Sequence, residues 1–409
     1  MIRKLIKRWM PFLVLAVLLT GCQKAPEVSK DDEILRAKGS SEDAVEAIVN
    51  EEDGAAETGE IKTEGMPVES GMEAVQSGGE TVNVLLGEGE NRMRIEAEIG
   101  AVPEAVSTLT MRADSRIDEE TLRNFLEPQG EVKDFTAGLL AEEEAEKQRV
   151  AEIDEKLGEG SSIMEIAGVG DGSRLALTDG NRKAVLVGKT GGSFEDTLLE
   201  EKCRAVAKEE AQELDTGDAK AGDLSFSLQD AKALLMRKLS VLGIEDIHLT
   251  KAYLYESDGF SFYELQFCPV VNGLPTACCF GQQDISRVYP NGTAWVSAEG
   301  VADIGLWNCL MEQASAAEKE KILSFDKVQE LLEIYLEDGH LQCTEDVPFS
   351  TAELAYYVEL KDGVLELAPV WSIYMDLSEY VEYTGQTGRM DSVWMLCIDA
   401  VTGELIEVQ

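Results

Sequence analysis

Hydrophobic positions along this chain first run together, then thin out, then alternate. Residues 11–19 form an unbroken apolar run, too short to span a membrane as a mature helix. Residues 23–80 show no sustained apolar period. From Thr81 the pattern changes: Val82, Val84 and Leu86 alternate with small or polar residues, and Met93, Ile95, Ala97 and Ile99 do so again. The turn-rich stretch from Gly87 to Asn91 lies between the two runs, so the pattern predicts a hairpin. Asp118 is placed to cap a helix through Leu126, with Glu119 and Glu120 in its first turn. A charged helix is expected over 139–157, where Glu143 and Lys147 are spaced for an exposed ion pair. Strands are predicted within 163–187, broken at Gly168–Gly172 and at Asp179–Asn181, and a further helical stretch within 193–222.

The remaining pattern repeats. Leu224-Ser225-Phe226 precedes a helix with Ser227 as N-cap, Asp230 completing a capping box, and Leu228, Ala231, Leu234, Leu235 and Leu239 on one stripe. Leu323-Ser324-Phe325 opens a second, with Asp326 as the expected cap and Val328, Leu331, Leu332 and Tyr335 on the stripe. Strand patterns follow each helix, at 252–255 and 260–271 in the first and at 355–360 and 364–373 in the second. Asn272-Gly273 forms a hairpin turn into a strand over 274–280, and another strand is expected around 294–297. The second run closes with strands over 393–398 and 405–408. Pro269-Val270-Val271 and Pro369-Val370-Trp371 stand 100 positions apart, and Phe226 and Phe325 stand 99 apart. Landmarks that keep order and spacing imply one fold used twice, each copy an amphipathic helix across an antiparallel sheet. The expected fold class is α+β, organised as 1–21 leader, 22–80 acidic disordered linker, 81–222 N-terminal α+β region, 223–315 first repeated unit and 316–409 second repeated unit.

Charge changes the picture at both ends. Arg3, Lys4, Lys7 and Arg8 precede the apolar run, which makes residues 1–21 a signal peptide. The chain as a whole carries 36 basic and 79 acidic residues, a net −43, which excludes nucleic acid and anionic headgroups as direct partners of the folded part. Residues 23–80 hold 16 acidic and 5 basic side chains and read as a self-repelling tether whose job is reach.

Leu19-Thr20-Gly21-Cys22 then resembles the lipobox of bacterial lipoproteins. That resemblance implies acylation of the Cys22 thiol, cleavage between Gly21 and Cys22, and a protein held by lipid on the extracytoplasmic face of the cell membrane. The closing stretch, an aliphatic strand running into Asp399-Ala400-Val401-Thr402-Gly403, resembles the last strand of PepSY-type domains. Val271-Asn272-Gly273-Leu274-Pro275 is similar to a turn of the YycH/YycI-type extracytoplasmic regulators. Those proteins are usually anchored by a transmembrane helix, whereas this chain offers a lipid. The whole layout resembles uncharacterised lipoproteins of Gram-positive gut bacteria.

Chemistry is sparse. Cys203, Cys268, Cys278, Cys279, Cys309, Cys343 and Cys397 contain no Cys-x-x-Cys pair and lie largely in apolar runs, so buried thiols are expected, although an extracytoplasmic site permits disulfides of unassigned pairing. His248 and His340 fall in helix-to-strand connections, where surface or capping roles are expected ahead of catalysis. No nucleophile elbow, zinc helix or phosphate loop occurs. Asp171 and Asp179 lack a calcium-loop pattern, so neither a metal nor a cofactor is expected. Trp295, Trp307, Trp371 and Trp394 read as core and sheet-face packing. The loop 378–391, with Tyr380, Tyr383 and Arg389, is longer than a tight hairpin needs and is the candidate binding loop. The expected function is non-enzymatic binding of a protein or peptide at the cell surface. The alternative is an envelope hydrolase or solute receptor with an acidic site.

Overall fold

The computed structural model describes residues 80–100, 102–113, 117–157, 173–188, 190–208, 211–218, 220–223, 225–257, 259–277, 290–343, 348–361, 364–376 and 393–408. The leader, Gly21, Cys22 and the linker up to residue 79 lie outside the described residues, as do Tyr380, Tyr383, Arg389, Asp171, Cys278 and Cys279.

The chain is a sheet-dominated α+β protein. Its elements in order are β1 (Glu80–Glu88), β2 (Asn91–Ile99), β3 (Ala105–Ala113), α1 (Glu119–Leu126), β4 (Lys133–Asp134), α2 (Thr136–Leu157), β5 (Arg174–Thr178), β6 (Arg182–Val187), β7 (Gly191–Asp196), α3 (Thr197–Val206) and β8 (Gln212–Leu214). Then come α4 (Leu228–Leu239), β9 (Ile247–Ser257), β10 (Phe260–Val271), β11 (Leu274–Pro275), β12 (Asn291–Ser297), β13 (Gly300–Trp307) and β14 (Met311–Lys321). The last are α5 (Phe325–Glu337), β15 (Phe349–Lys361), β16 (Val364–Asp376), β17 (Val393–Asp399) and β18 (Leu405–Val408).

These strands make two sheets. An eight-stranded sheet runs β1-β2-β15-β16-β17-β18, with β3 joined to both β16 and β14. A ten-stranded sheet runs β4-β5-β6-β7-β13-β12-β10-β9-β8, with β11 on β10. The segment 81–222, grouped by sequence as one region, therefore divides: β1 to β3 complete the eight-stranded sheet and β4 to β8 complete the ten-stranded one. Everything from α1 to β13 is inserted between β3 and β14, which pair antiparallel with each other as the way out and the way back. Two large cores follow the same division. One gathers Met93, Ile95, Leu109, Val328, Leu331, Leu332, Phe349, Tyr356, Trp371 and Ile398 under α5; the other gathers Leu122, Phe125, Ala231, Leu235, Leu239, Leu265, Phe267, Val296 and Ile304 under α1 and α4.

Local chemistry explains the elements. The first hairpin turns at Gly89, whose φ of 66° suits the first central position of a type II′ turn. The α1 N-cap is Asp118, accepting from the Thr121 amide at 2.8 Å. Ser227 and Asp230 form the expected capping box of α4. The cap of α5 differs from expectation: Ser324, with extended backbone, accepts from the Lys327 amide, and Asp326 sits inside the first turn. A hydroxyl one residue before Phe325 reaches the orphan amide, whereas Asp326 has already entered helical geometry. Glu143 meets Arg174 of β5 at 3.1 Å, and the Lys147 side chain expected to pair with it lies outside what the structure describes.

Candidate functional site

Strand alternation gives the ten-stranded sheet two unlike faces. Leu265, Phe267, Ala294, Val296, Ile304 and Leu306 point into the core beneath α4. Glu264, Trp295, Asp303 and Glu195 lie on the other face in one cross-strand row, since Glu264 pairs with Trp295, Trp295 with Asp303, and Asp303 with Glu195. A register shift between Trp295 and Val296 leaves Ala302 as an extra residue, and this bulge turns Asp303 onto the row. Leu199, Cys203 and Val206 of α3 cover part of this face by packing on Tyr253, Tyr255, Phe262 and Ala302, and Gln266 and Cys268 farther along β10 are buried as well.

The row carries an uneven charge balance. Arg204 donates from Nε to Glu200 at 2.9 Å, and Lys183 reaches Glu195 at 3.5 Å. Asp303 has neither a hydrogen bond nor an ion pair among the described residues. Burial, with Glu200 and Glu195 beside it, holds the Asp303 acid up at about 7 against the pull of Arg204. Burial raises Glu200 as well, opposed by its contact with Arg204. Three carboxyls thus share two cations.

Two tryptophans share this face, Trp295 within the row and Trp307 four residues beyond Asp303 along β13. Trp295 is half-buried and packs on Phe262 at 5.4 Å between ring centres. Trp307 is 36% exposed and lies across Gly305, where a Cβ would fall 2.7 Å from the indole. The same face holds Gln266, 4% exposed, whose Oε1 has no hydrogen-bond partner among the described residues. The arrangement offers indole faces and carboxylates together, which suits a cationic group.

A second polar contact joins the two sheets. His248 and Glu353 approach to 3.5 Å across β9 and β15. His248 thus sits within a strand, not in the helix-to-strand connection expected from sequence. Burial raises the Glu353 acid, while His248 and the Tyr374 hydroxyl pull it down. Cys268 pairs with His248 across the β9–β10 ladder, but burial and nearby Glu353 push its thiol far up, so it is not a thiolate nucleophile. His340 follows α5 and meets Tyr335 edge-on.

Other sequence candidates resolve into structural roles. Asp179 accepts from the amides of Gln129, Asn181 and Arg182; burial opposes its ionisation, and these donors still hold its acid low. Cys203, Cys268, Cys309 and Cys397 are buried free thiols, and Cys343 is half-buried and free. Among the described residues no His, Cys, Asp and Glu group has metal-holding geometry, and no helix is long and apolar enough to cross a membrane. Asp376 and Val393 are paired at the base of the candidate binding loop, which itself lies outside the described residues. Sequence reasoning missed Asp303 and the His248–Glu353 contact. The one signal for the latter was a charged residue, Glu353, in a strand between two buried apolar neighbours, Ala352 and Leu354.

No family model matches the chain, and no curated protein matches it. A solved structure of an uncharacterized protein from Eubacterium rectale ATCC 33656 is similar at TM-score 0.45 and 15% identity, covering 80% of this chain and 94% of that one. Fold and site together define a mixed α+β protein of two helix-covered sheets, mostly antiparallel with β2 and β15 parallel, one of which carries an acidic and aromatic row.

Proposed function

We propose that this chain is a non-enzymatic lipoprotein, anchored through Cys22 on the extracytoplasmic face of the membrane, which binds a protein or peptide presenting a cationic side chain to the Trp295, Trp307 and Asp303 face. The binding reading rests on one observation: Asp303 is a carboxyl without an ion-pair partner among the described residues, beside Glu195 and Glu200 and paired across the ladder with Trp295, with Trp307 four residues farther along the same strand face. A docked ammonium or guanidinium would supply the missing positive charge and stack on an indole.

The same reading takes α4 with β9, β10, β12 and β13, and α5 with β15 to β18, as one PepSY-like unit used twice. Both runs are a helix followed by four antiparallel strands in the same order. Each also ties its helix start to the second strand with an aromatic pair. Phe226 and Tyr263 lie 5.9 Å apart with the Tyr263 hydroxyl donating to the Phe226 carbonyl, and Phe325 and Trp371 lie 5.0 Å apart with the indole donating to the Leu323 carbonyl.

Crosslinking and pull-down from intact cells test the binding reading. A protein partner should be recovered with the wild type and lost with Asp303→Asn or Trp307→Ala; recovery of glycan fragments alone, or equal recovery with both variants, refutes it. Lipid labelling tests the anchor, since Cys22→Ala should abolish incorporation of a fatty acid. A second reading is favoured by the same carboxyl: an acid near 7 beside Glu195 and Glu200 has the protonation of a general acid in an envelope hydrolase. Turnover of envelope glycans that vanishes in Asp303→Asn would decide for it.

A further inference from the structure

The edges of the two sheets are not alike. Among the described strands, β4, β8 and β18 are edges of two to four residues. β14 is an eleven-residue edge, but Glu318, Lys319, Glu320 and Lys321 charge it and its register against β3 shifts twice. Short length, charge and bulges are the devices that keep strand edges from pairing. β1 has none of them along its middle. Among the described strands it pairs with β2 alone, in unbroken register from Glu80 to Glu88, and its charges stand only at those two ends, with none from Thr81 to Gly87. Its outward face exposes Leu85 at 47%, and on the core side Val82 and Val84 are only partly buried.

We propose that β1 is a self-association edge, pairing antiparallel with β1 of a second copy about a two-fold axis at Val84. The register follows from the residues. An axis at Val84 sets Val82 against Leu86 of the second copy on the core side, completing burial of the half-covered valines with β-branched and aliphatic cross-strand pairs. On the outer side it sets Asn83 against Leu85 and Thr81 against Gly87. A second copy fits better than an arbitrary strand because of β2. Along its outer face the charges run Arg92, Arg94, Glu96, Glu98, opposite Gly87, Leu85, Asn83 and Thr81. Two-fold pairing reverses that order across the contact, so Glu96 shares a row with Arg94 of the second copy, and Glu98 with its Arg92. The separation is three strand spacings, roughly 14 Å. This exceeds the Debye length of about 8 Å at physiological salt, so these rows set orientation and contribute little affinity. The net charge of −43 repels two copies everywhere else, and this register also sets Glu80 against Glu88 of the second copy at both ends, so the paired stretch is the uncharged run from Thr81 to Gly87.

Sedimentation velocity of the complete chain across a concentration series is the test. The wild type should show a reversible monomer–dimer equilibrium. In N83K/L85K, lysine faces lysine at both symmetry-related pairs of positions 83 and 85, so association should weaken by about tenfold or more. N83K/L85E, which sets lysine against glutamate in this register alone, should restore it. Both positions are exposed, and circular dichroism should confirm an unchanged fold. A wild type that is monomeric throughout overturns the proposal. So does association unaffected by either variant, which would place it at another surface such as the apolar leader. Equal loss in both variants overturns the Val84 register. Protection of β1 amides by a foreign peptide in a monomeric wild type would assign the edge to a different strand and also overturn it.

Discussion

Individual side chains in this protein are defined by how their charge is housed. Asp303 and Lys238 are the clearest pair. The Asp303 acid, held up at about 7, favours the proton in the folded state, while the unfolded chain releases it near the ordinary value of 3.8. Its contribution to stability is full below about 4 and is lost as pH rises through about 7. Asp303→Asn should therefore flatten the pH dependence of the denaturation midpoint over this window and match or exceed the wild type at pH 7.5. Lys238 shifts the other way. It is 4% exposed, donates to the Phe125 carbonyl at 2.7 Å and to Glu127 at 3.2 Å, and lies 3.6 Å from the Phe194 ring centre. Burial pulls its ammonium down to about 8 while Glu127 holds it up. Between about 8 and 10.5 the unfolded chain binds more protons, so stability rises with pH there. Lys238→Met should stay within about 1.5 kcal/mol of the wild type near pH 7.5 and lose that rise. Lys238→Ala should cost about 2–4 kcal/mol through the cavity it leaves. Urea titrations at pH 5, 7.5 and 10 separate these outcomes. Neither residue stood out in the sequence. With 79 acids, acidity has no diagnostic value position by position, and Asp303 becomes special only when the bulge at Ala302 turns it toward Trp295 and Glu195.

At the scale of elements, periodicity carried far and failed for a physical reason. β10 spans the expected 260–271, the first hairpin lies where its alternation put it, and α4 has the capping box that its residues spell out. These elements were legible because local pattern and tertiary role agree. β14 was not. Its run Ala314-Ser315-Ala316-Ala317-Glu318-Lys319-Glu320-Lys321 is made of good helix formers, yet it is a strand, because it leaves the inserted sheet beside β3 and takes up that ladder. Tertiary pairing overrides propensity there. The α5 cap is a smaller case of two local signals competing. Ser324→Ala should cost about 1 kcal/mol, whereas Asp326→Asn should cost only a few tenths, because Asp326 interacts with the helix dipole without bonding an orphan amide. Thermal denaturation of the two variants distinguishes them, and a larger loss at Asp326 would return the cap to that residue.

For the whole molecule, the question is how an inserted sheet stays joined to its host. Two chain crossings, β3 to α1 and β13 to β14, provide connection but no alignment. Alignment comes where Thr276 bridges Tyr356, the Ala277 amide donates to the Tyr356 carbonyl at 2.8 Å, and His248 meets Glu353. No local sequence pattern announces this junction, because its partners are separated by about a hundred positions and belong to different sheets. Its behaviour with pH follows from Glu353. Burial raises that acid above its ordinary 4.5, so the folded state prefers the proton. The associated stability is present below 4.5 and fades as pH rises through the folded value. His248 offsets the fading by pairing with the carboxylate. Hydrogen exchange at the Ala277 amide reports the junction, expressed as a protection factor so that intrinsic base catalysis drops out. In the wild type the protection should decline modestly as pH rises above 4.5. Glu353→Gln should remove the decline, and His248→Ala should deepen it, since the buried carboxylate then ionises without its imidazole partner. If Glu353→Gln left the decline unchanged, the ion pair would not be what holds the sheets in register, and the Thr276 and Ala277 backbone contacts would have to do so alone.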